Sequence, residues 1–113
     1  MTQSLINKKC VPCEGGVLPL TPTEIEKYQA ELASPWAVLD NKKISYQFQF
    51  KNFSQAVKFI NQVAAVAEAE GHHPDILLHD FKKVDIMLWT HAIGGLSEND
   101  FIVAAKIEQL LKE

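Results

Sequence analysis

The sequence is short of cysteine, of long apolar runs and of targeting signals. Its 113 residues include two cysteines, Cys10 and Cys13, which are too few for a disulfide framework and fit a reducing compartment. No segment approaches the roughly 20 apolar residues of a membrane span. The start MTQSLINKKC has no apolar signal core after its charges. We therefore expect a cytoplasmic protein without membrane association.

The sequence also lacks an excess of positive charge. It has 14 acidic and 11 basic residues scattered along the chain, for a net charge of −3. Because binding to a phosphate backbone usually needs clustered lysine and arginine, we expect no direct contact with nucleic acid. The length and the 47% hydrophobic content suit one domain with an ordinary core. Any small-molecule site is expected along one edge of the fold or at a subunit interface.

The chain divides into an N-terminal arm and one domain. Residues 1–20 contain prolines and glycines without hydrophobic periodicity, which predicts an irregular arm. The domain is expected at residues 21–113. It begins with TPTE, where Thr21 is the predicted N-cap of a helix and Glu24 completes a capping box. Pro35 predicts that this helix ends just before it.

Alternating apolar residues predict two pairs of strands. The run KISYQFQF alternates apolar and polar side chains, as a half-buried strand does. The run WAVL precedes it, and Asp40 and Asn41 are turn residues between the two, so we expect a hairpin. DILLHDF and KVDIMLWTH form the second predicted pair.

Two further segments have helical spacing. NFSQAVKFINQVAAVAEAEG is expected to end at Gly71 and to bury Phe53, Val57, Ile60, Ala64 and Ala67. The last helix is expected to begin at Ser97, with Asp100 in its first turn, and to bury Val103, Ala104, Ile107 and Leu111. These elements predict an α+β fold: a four-stranded antiparallel sheet with three helices on one face, in the order α-β-β-α-β-β-α.

Two adjacent histidines, His72 and His73, follow the predicted helix end at Gly71. They could simply cap the helix, whose negative dipole end favours an imidazolium by about 0.3–1 kcal/mol. They could instead act on a substrate. Glu68 lies one turn earlier and could hold an imidazole in one tautomer, and His91 ends a predicted strand. Three histidines and a carboxylate are enough to donate and accept protons on one small molecule.

A zinc site is the third interpretation. Cys10 and Cys13 have the spacing of zinc ligands and could combine with His72 and His73. However, adjacent side chains diverge on a regular backbone, so the two histidines are an awkward pair of ligands. Redox chemistry is less favoured, because no βαβ unit surrounds the cysteines. Inert, reduced cysteines are the simpler expectation.

The spacing of these residues resembles the active-site pattern of the pterin-4a-carbinolamine dehydratases, also called 4a-hydroxytetrahydrobiopterin dehydratases. That pattern is an acidic residue, three intervening residues, His-His-Pro, an aromatic residue, a histidine and an aspartate at defined distances. The chain matches it with Glu68, His72-His73-Pro74, Phe81, His91 and Asp100. The resemblance covers most of the chain from about Thr21 onward. The whole spaced set is far more specific than His-His-Pro alone.

The resemblance implies a lyase that dehydrates 4a-hydroxytetrahydrobiopterin to quinonoid dihydropterin and so recycles the pterin cofactor of an aromatic amino acid hydroxylase. It implies catalytic roles for His72, His73 and His91. It implies binding or supporting roles for Glu68, Pro74, Asp75, Phe81, Trp89 and Asp100. Because the pterin is the substrate, we expect no cofactor and no metal. One departure is Ile76, where many family members have an aromatic residue.

The resemblance also implies partners. Family members commonly form dimers or tetramers, so we expect a homodimer or homotetramer, with a functional link to phenylalanine hydroxylase. Some members act as dimerisation cofactors of a transcription factor, so an interaction role without significant dehydratase activity is one alternative. A zinc-stabilised protein that uses Cys10 and Cys13 is the other.

Overall fold

Two hairpins form a four-stranded sheet in the computed structural model, which describes residues 4–11 and 18–111. The strands are β1 (Ala37–Leu39), β2 (Lys43–Gln49), β3 (Asp75–His79) and β4 (Lys83–Leu88). β2 pairs with β4, so the strand order is β1-β2-β4-β3, and every pairing is antiparallel. Both predicted hairpins are therefore confirmed.

The turn of each hairpin contains two consecutive residues in the left-handed region. In the first turn these are Asp40 (φ 52°) and Asn41 (φ 56°), residue types that tolerate this conformation. In the second they are Asp80 (φ 49°) and Phe81 (φ 51°). The Phe81 side chain is 59% exposed. Its left-handed backbone is therefore strained without the compensation of core packing.

Three α-helices and two 3-10 turns complete the described part of the fold. They are α1 (Pro22–Gln29), α2 (Phe53–Glu70), α3 (Glu98–Gln109) and 3-10 turns at Leu5–Asn7 and His91–Ile93. The helices cover the face of the sheet that carries Ile44, Phe48, Val84, Ile86 and Leu88. The predicted α+β class and the order α-β-β-α-β-β-α are confirmed. No helix in the ranges described is both long and apolar enough to cross a membrane.

Thr21 begins α1 as its N-cap. Its hydroxyl accepts a hydrogen bond from the Glu24 amide, and the Glu24 carboxylate accepts one from the Thr21 amide, so the predicted capping box is confirmed. The helix ends at Gln29, earlier than the predicted end before Pro35. The cause is a tertiary contact. The buried carboxylate of Glu108 accepts hydrogen bonds from the backbone amides of Ala33 and Ser34. These bonds hold the segment after Gln29 in a non-helical conformation.

The buried face of α2 differs from the predicted one. Its buried residues are Ala56, Phe59, Val63 and Ala67. Of the predicted stripe only Ala67 is fully buried, and Phe53 is 54% exposed. The helix carries two overlapping apolar stripes one residue apart. Packing on the sheet selects the stripe that brings the Phe59 ring centroid within 4.9 Å of that of Phe48.

α3 is buried on nearly all of its sides. Val103, Ala104 and Ile107 are fully buried as predicted, whereas Leu111 lies beyond the helix end and is 48% exposed. Expecting Leu111 to face inward was therefore wrong, because the helix stops before that turn. The N-terminal arm covers the side of α3 that would otherwise meet solvent.

The described part of the arm contains an ordered 3-10 turn, Leu5–Asn7, where an irregular segment was expected. Leu5 is 2% exposed and belongs to the hydrophobic core, which explains why this turn is held in place. Residues 12–17, including Cys13, lie outside the described residues. The division into an arm at 1–20 and a domain at 21–113 stays a prediction.

Candidate active site

A cleft of about 640 Å³ lies where the ends of α2 and β4 meet the starts of β3 and α3. Three of the four histidines of the chain line it: His72, His73 and His91. Gly71 ends α2 with φ 66°, a left-handed conformation that glycine adopts without strain. Pro74, which cannot continue a helix, follows the two histidines. The chain therefore leaves the helix abruptly and brings both rings to the cleft.

Asp100, in the first turn of α3, holds His72 in place. Its carboxylate is completely buried, and Oδ1 lies 2.6 Å from Nε2 of His72. Oδ2 accepts hydrogen bonds from the Thr90 hydroxyl at 2.8 Å and from the Ser97 amide at 2.9 Å. Because a carboxylate only accepts hydrogen bonds, Nε2 of His72 carries the hydrogen of this bond.

Glu68, in the last turn of α2, holds His73. Its Oε2 lies 2.6 Å from Nε2 of His73. Both side chains are exposed, so the pair contributes little to stability, about 0–1 kcal/mol. Its effect is to orient the ring and to favour the tautomer with the hydrogen on Nε2. The sequence indicated that Glu68 could bond an imidazole, and the structure shows that the ring belongs to His73.

His91 follows β4 and begins a 3-10 turn, so it lies just beyond the strand that it was expected to end. Its ring packs on Trp89, with 3.9 Å between the ring centroids. Nζ of Lys43 lies 5.0 Å from the Trp89 ring centroid, in a cation–π arrangement. Among the described residues the His91 ring has no hydrogen-bonding partner. As far as residues 4–11 and 18–111 go, both of its nitrogens are open to a ligand.

Together, the three rings provide different proton-transfer groups within one cleft. Two rings, His72 and His73, each donate Nε2–H to a carboxylate, which holds their orientation. The third, His91, packs on Trp89. An arrangement of this kind can protonate a leaving group and accept a proton from an adjacent atom of the same small molecule.

One wall of the cleft could not be predicted from the sequence. Cys10 and Val11, from the N-terminal arm, line the cleft together with Glu70 and Asn99. Thr90, which bonds to the carboxylate that holds His72, was also missed. No local spacing links the arm to residues about 60 and 90 positions later. Only a pattern of correlated changes among related sequences could have found it.

Glu70 and Cys10 are chemically quiet members of this wall. Burial alone would raise the pKa of Glu70, but the Cys10 amide at 2.8 Å and Lys106 at 2.6 Å hold that pKa below its ordinary value. Burial, with Glu70 nearby, raises the pKa of the Cys10 thiol to about 12. The thiol is therefore protonated at neutral pH, which disfavours it as a zinc ligand or a redox nucleophile.

No group of three or more potential metal ligands occurs in residues 4–11 and 18–111. Cys13 lies outside these ranges, so the zinc alternative, like the expectation that no cofactor is needed, stays a prediction.

Comparison with known proteins identifies the family. The model of the family described as pterin 4 alpha carbinolamine dehydratase matches residues 18–110, which is most of the chain. The chain belongs to the pterin-4a-carbinolamine dehydratase family. The expected resemblance is thereby confirmed, and the matched range contains α1, the whole sheet and all residues of the histidine cleft except those of the arm.

Curated relatives match this chain over nearly its full length. A protein of Nitrosomonas europaea is 51% identical over 109 residues, covering 96% of this chain and 94% of its own length. One of Alkaliphilus metalliredigens is 44% identical over 110 residues, covering 97% of this chain and 98% of its own length. Both are provisionally named pterin-4-alpha-carbinolamine dehydratases.

Solved structures support the same fold. The crystal structure of a protein from Brucella melitensis, described as a transcriptional coactivator/pterin dehydratase, superposes with a TM-score of 0.75 at 33% identity, covering 81% of this chain and 97% of that one. A pterin dehydratase-like protein described as a RuBisCO assembly factor of the alpha-carboxysome superposes with a TM-score of 0.58 at 24% identity, covering 69% of this chain and 90% of that one. The second likeness concerns the fold alone.

The structure of this pterin-4a-carbinolamine dehydratase family member unites most of the residues of the family pattern, but not all. Pro74, Asp75 and Trp89 line the cleft beside the histidines. Phe81 does not, because it lies in the β3–β4 turn, at the opposite end of β3. Ile76, the departure from the family pattern, also does not line the cleft and is 36% exposed.

Proposed function

We propose that the chain is a lyase that dehydrates 4a-hydroxytetrahydrobiopterin to quinonoid dihydropterin. The observation that carries the proposal is the convergence of His72, His73 and His91 on one cleft, with two of the rings held by carboxylates at 2.6 Å. The cleft volume of about 640 Å³ suits a small bicyclic substrate, since small-molecule sites are typically about 300–1,000 Å³. Family membership supports the same reaction class.

The reaction needs one acid and one base. The bond between C4a and its hydroxyl oxygen breaks, and the hydroxyl takes a proton from the acid and leaves as water. The neighbouring N5 loses its proton to the base, and a double bond forms between N5 and C4a. No electrons are gained or lost overall, so positioned imidazoles supply the groups that the reaction requires.

We assign His73 and His91 to the two sides of the C4a–N5 edge. The Nε2–H group of His73 faces the Glu68 carboxylate. Within the described residues, neither ring nitrogen of His91 has a hydrogen-bonding partner. His72, whose side chain is only 13% exposed, is held more rigidly by Asp100 and completes the catalytic set. The pH dependence of the single variants will decide which ring is the acid and which is the base.

A stopped-flow dehydration assay on chemically generated 4a-hydroxytetrahydropterin tests the proposal. His73→Ala and His91→Ala should each lower kcat by about 10²–10⁴-fold, down to a floor set by the spontaneous reaction. His79→Ala is the matched control, because the fourth histidine bonds to Asp85 and lies outside the cleft. Wild-type turnover in both cleft variants would overturn the assignment.

The alternative is an interaction role without significant dehydration. It is favoured by the Brucella melitensis relative, whose description joins a transcriptional coactivator and a pterin dehydratase in one name. Negligible dehydration by folded wild-type protein, together with retained binding of a protein partner, would favour this alternative.

The physiological setting and the assembly are part of the same proposal. We propose recycling of the pterin cofactor of an aromatic amino acid hydroxylase such as phenylalanine hydroxylase, by a cytoplasmic homodimer or homotetramer. Adding the protein to a hydroxylase reaction should shorten the lifetime of the 4a-hydroxy intermediate. Sedimentation velocity should give a mass of two or four chains.

A further inference from the structure

The N-terminal arm forms part of the cleft although it belongs to neither a helix nor a strand there. Cys10 and Val11 line the cleft that contains the three histidines. Val11 is 65% exposed, so an apolar side chain stands at the cleft without being covered by the protein.

Buried polar side chains hold the backbone of these two residues. The Asn99 side chain, in a residue that is 4% exposed, accepts a hydrogen bond from the Val11 amide at 3.1 Å and donates one to the Val11 carbonyl at 2.6 Å. The Glu70 carboxylate, 7% exposed, accepts one from the Cys10 amide at 2.8 Å. Lys106 pairs with the other oxygen of Glu70 at 2.6 Å.

These contacts bind the backbone of the arm and not the side chain of Val11. They therefore fix where that side chain stands, whichever residue occupies the position. Burying the carboxylate of Glu70 and the amide of Asn99 costs desolvation that the hydrogen bonds must offset. If the arm served only to cover the core, the burial of Leu5 would be enough to hold it. The hydrogen bonds at Cys10 and Val11 would then have no purpose.

We propose that Val11 is a specificity-determining residue that contacts the bound pterin, and that Asn99 and Glu70 are positioning residues that hold it at the cleft. The inference rests on the proposed function, since it takes the pterin as the ligand. The proposal takes the C6 substituent as the part of the pterin that meets Val11, so a C6-methyl pterin should bind more tightly than the dihydroxypropyl substrate of the proposed reaction, which the cleft still accepts.

The experiment compares two substrates and two readouts. KM and kcat are measured by stopped flow with 4a-hydroxytetrahydropterins that carry a C6 methyl or a C6 dihydroxypropyl group. In parallel, the Kd of 7,8-dihydropterin, which cannot be dehydrated, is measured by quenching of tryptophan fluorescence in a Trp36→Phe background. Trp89, which lines the cleft, then reports binding alone.

Val11→Ser is expected to raise KM for the C6-methyl substrate about fivefold, because it removes part of a valine contact that the bound substrate buries. KM for the dihydroxypropyl substrate should change less, and kcat should be unchanged for both. Asn99→Leu removes both bonds to Val11 and should raise the Kd of dihydropterin by a similar factor. The matched controls are Ile6→Ser, an exposed apolar residue of the same arm outside the cleft, and Lys9→Met, which removes a contact to the Ala69 carbonyl.

The outcomes separate the two proposals. Unchanged KM, substrate preference and Kd in Val11→Ser would overturn the role of the arm while leaving dehydration established. Equal losses in all variants and controls would also overturn it, because they would indicate a structural role only. Wild-type protein that binds dihydropterin without dehydrating the substrate would refute the proposed reaction, and Kd would still decide the role of Val11. Wild-type protein that neither binds dihydropterin nor dehydrates the substrate would overturn both.

Discussion

Replacing Asp100 with asparagine should slow dehydration while keeping the fold. The carboxylate is completely buried and accepts hydrogen bonds from Nε2 of His72, the Thr90 hydroxyl and the Ser97 amide. An asparagine of the same shape can keep its oxygen towards Thr90 and Ser97. Its NH₂ group then faces His72, whose Nε2 must become an acceptor, so the ring changes tautomer.

The magnitude follows from the bond that is lost. A hydrogen bond to a charged group is worth about 1.5–3 kcal/mol. Because this bond holds His72 in the tautomer and orientation in which it completes the catalytic set, its loss should lower kcat by about 10- to 150-fold, at about 1.4 kcal/mol for each factor of ten. The free energy of unfolding should fall by less than the free energy of the lost hydrogen bond. The reason is that the neutral amide is easier to bury than the carboxylate, and this gain offsets part of the lost bonding.

Glu108→Gln is the matched control. Glu108 is a second buried carboxylate of α3, and it accepts hydrogen bonds from the Ala33 and Ser34 amides and from the Trp36 indole, away from the cleft. The Glu108→Gln variant should have a lower free energy of unfolding in urea, with an unchanged kcat of the folded protein. The reasoning is refuted if folded Asp100→Asn turns over at the wild-type rate, or if Glu108→Gln slows the reaction equally.

Three further predictions concern the backbone and the outer face of the sheet. Phe81→Asn should raise the melting temperature by about 4 °C, because it removes about 1 kcal/mol of left-handed strain; an unchanged kcat would agree with its place outside the cleft, and a large loss would not. Gly71→Ala, at φ 66°, should cost about 1–2 kcal/mol in urea unfolding and lower kcat by misplacing the adjacent rings, whereas equal stability would contradict the strain argument. The hydrogen bond to Asp85 is the main cause of the raised pKa of His79, which burial opposes and Asp80 supports. The contribution of the raised pKa to the free energy of unfolding is complete below the ordinary pKa of 6.5 and is lost as pH rises through the folded pKa. His79→Gln should therefore destabilise the protein at about pH 5 and little at about pH 9. A difference in stability that does not depend on pH would argue against this reasoning.

Much of the fold was predictable because its signals are local. The capping box at Thr21, the alternation in β2 and β4 and the left-handed turn at Asp40 and Asn41 each depend on residues only a few positions apart. Such signals identify the type and order of elements. They do not specify which of two neighbouring apolar stripes of a helix is buried, so the predicted face of α2 was wrong by one residue, as its exposed Phe53 shows.

The candidate site was predictable only as a set of residues with family spacing. Spacing placed His72, His73 and His91 together, and the structure brings all three to one cleft. It also included Phe81, which the β3–β4 turn carries to the far end of the strand. Spacing along the chain cannot distinguish these cases, because it contains no information about direction in space.

The sequence alone determined that a helix ends at Gly71, that two histidines follow it, and that strands pair on either side, since each depends on local backbone preferences. Only the tertiary structure decided which carboxylate meets which ring: Glu68 of the same helix bonds to His73, and Asp100, 28 residues away from His72, bonds to that ring. The tertiary structure also decided that the N-terminal arm lines the cleft. The contacts of Asp100 and of the arm join segments distant in the chain, and they form only when α3 packs against α2 and against the 3-10 turn Leu5–Asn7.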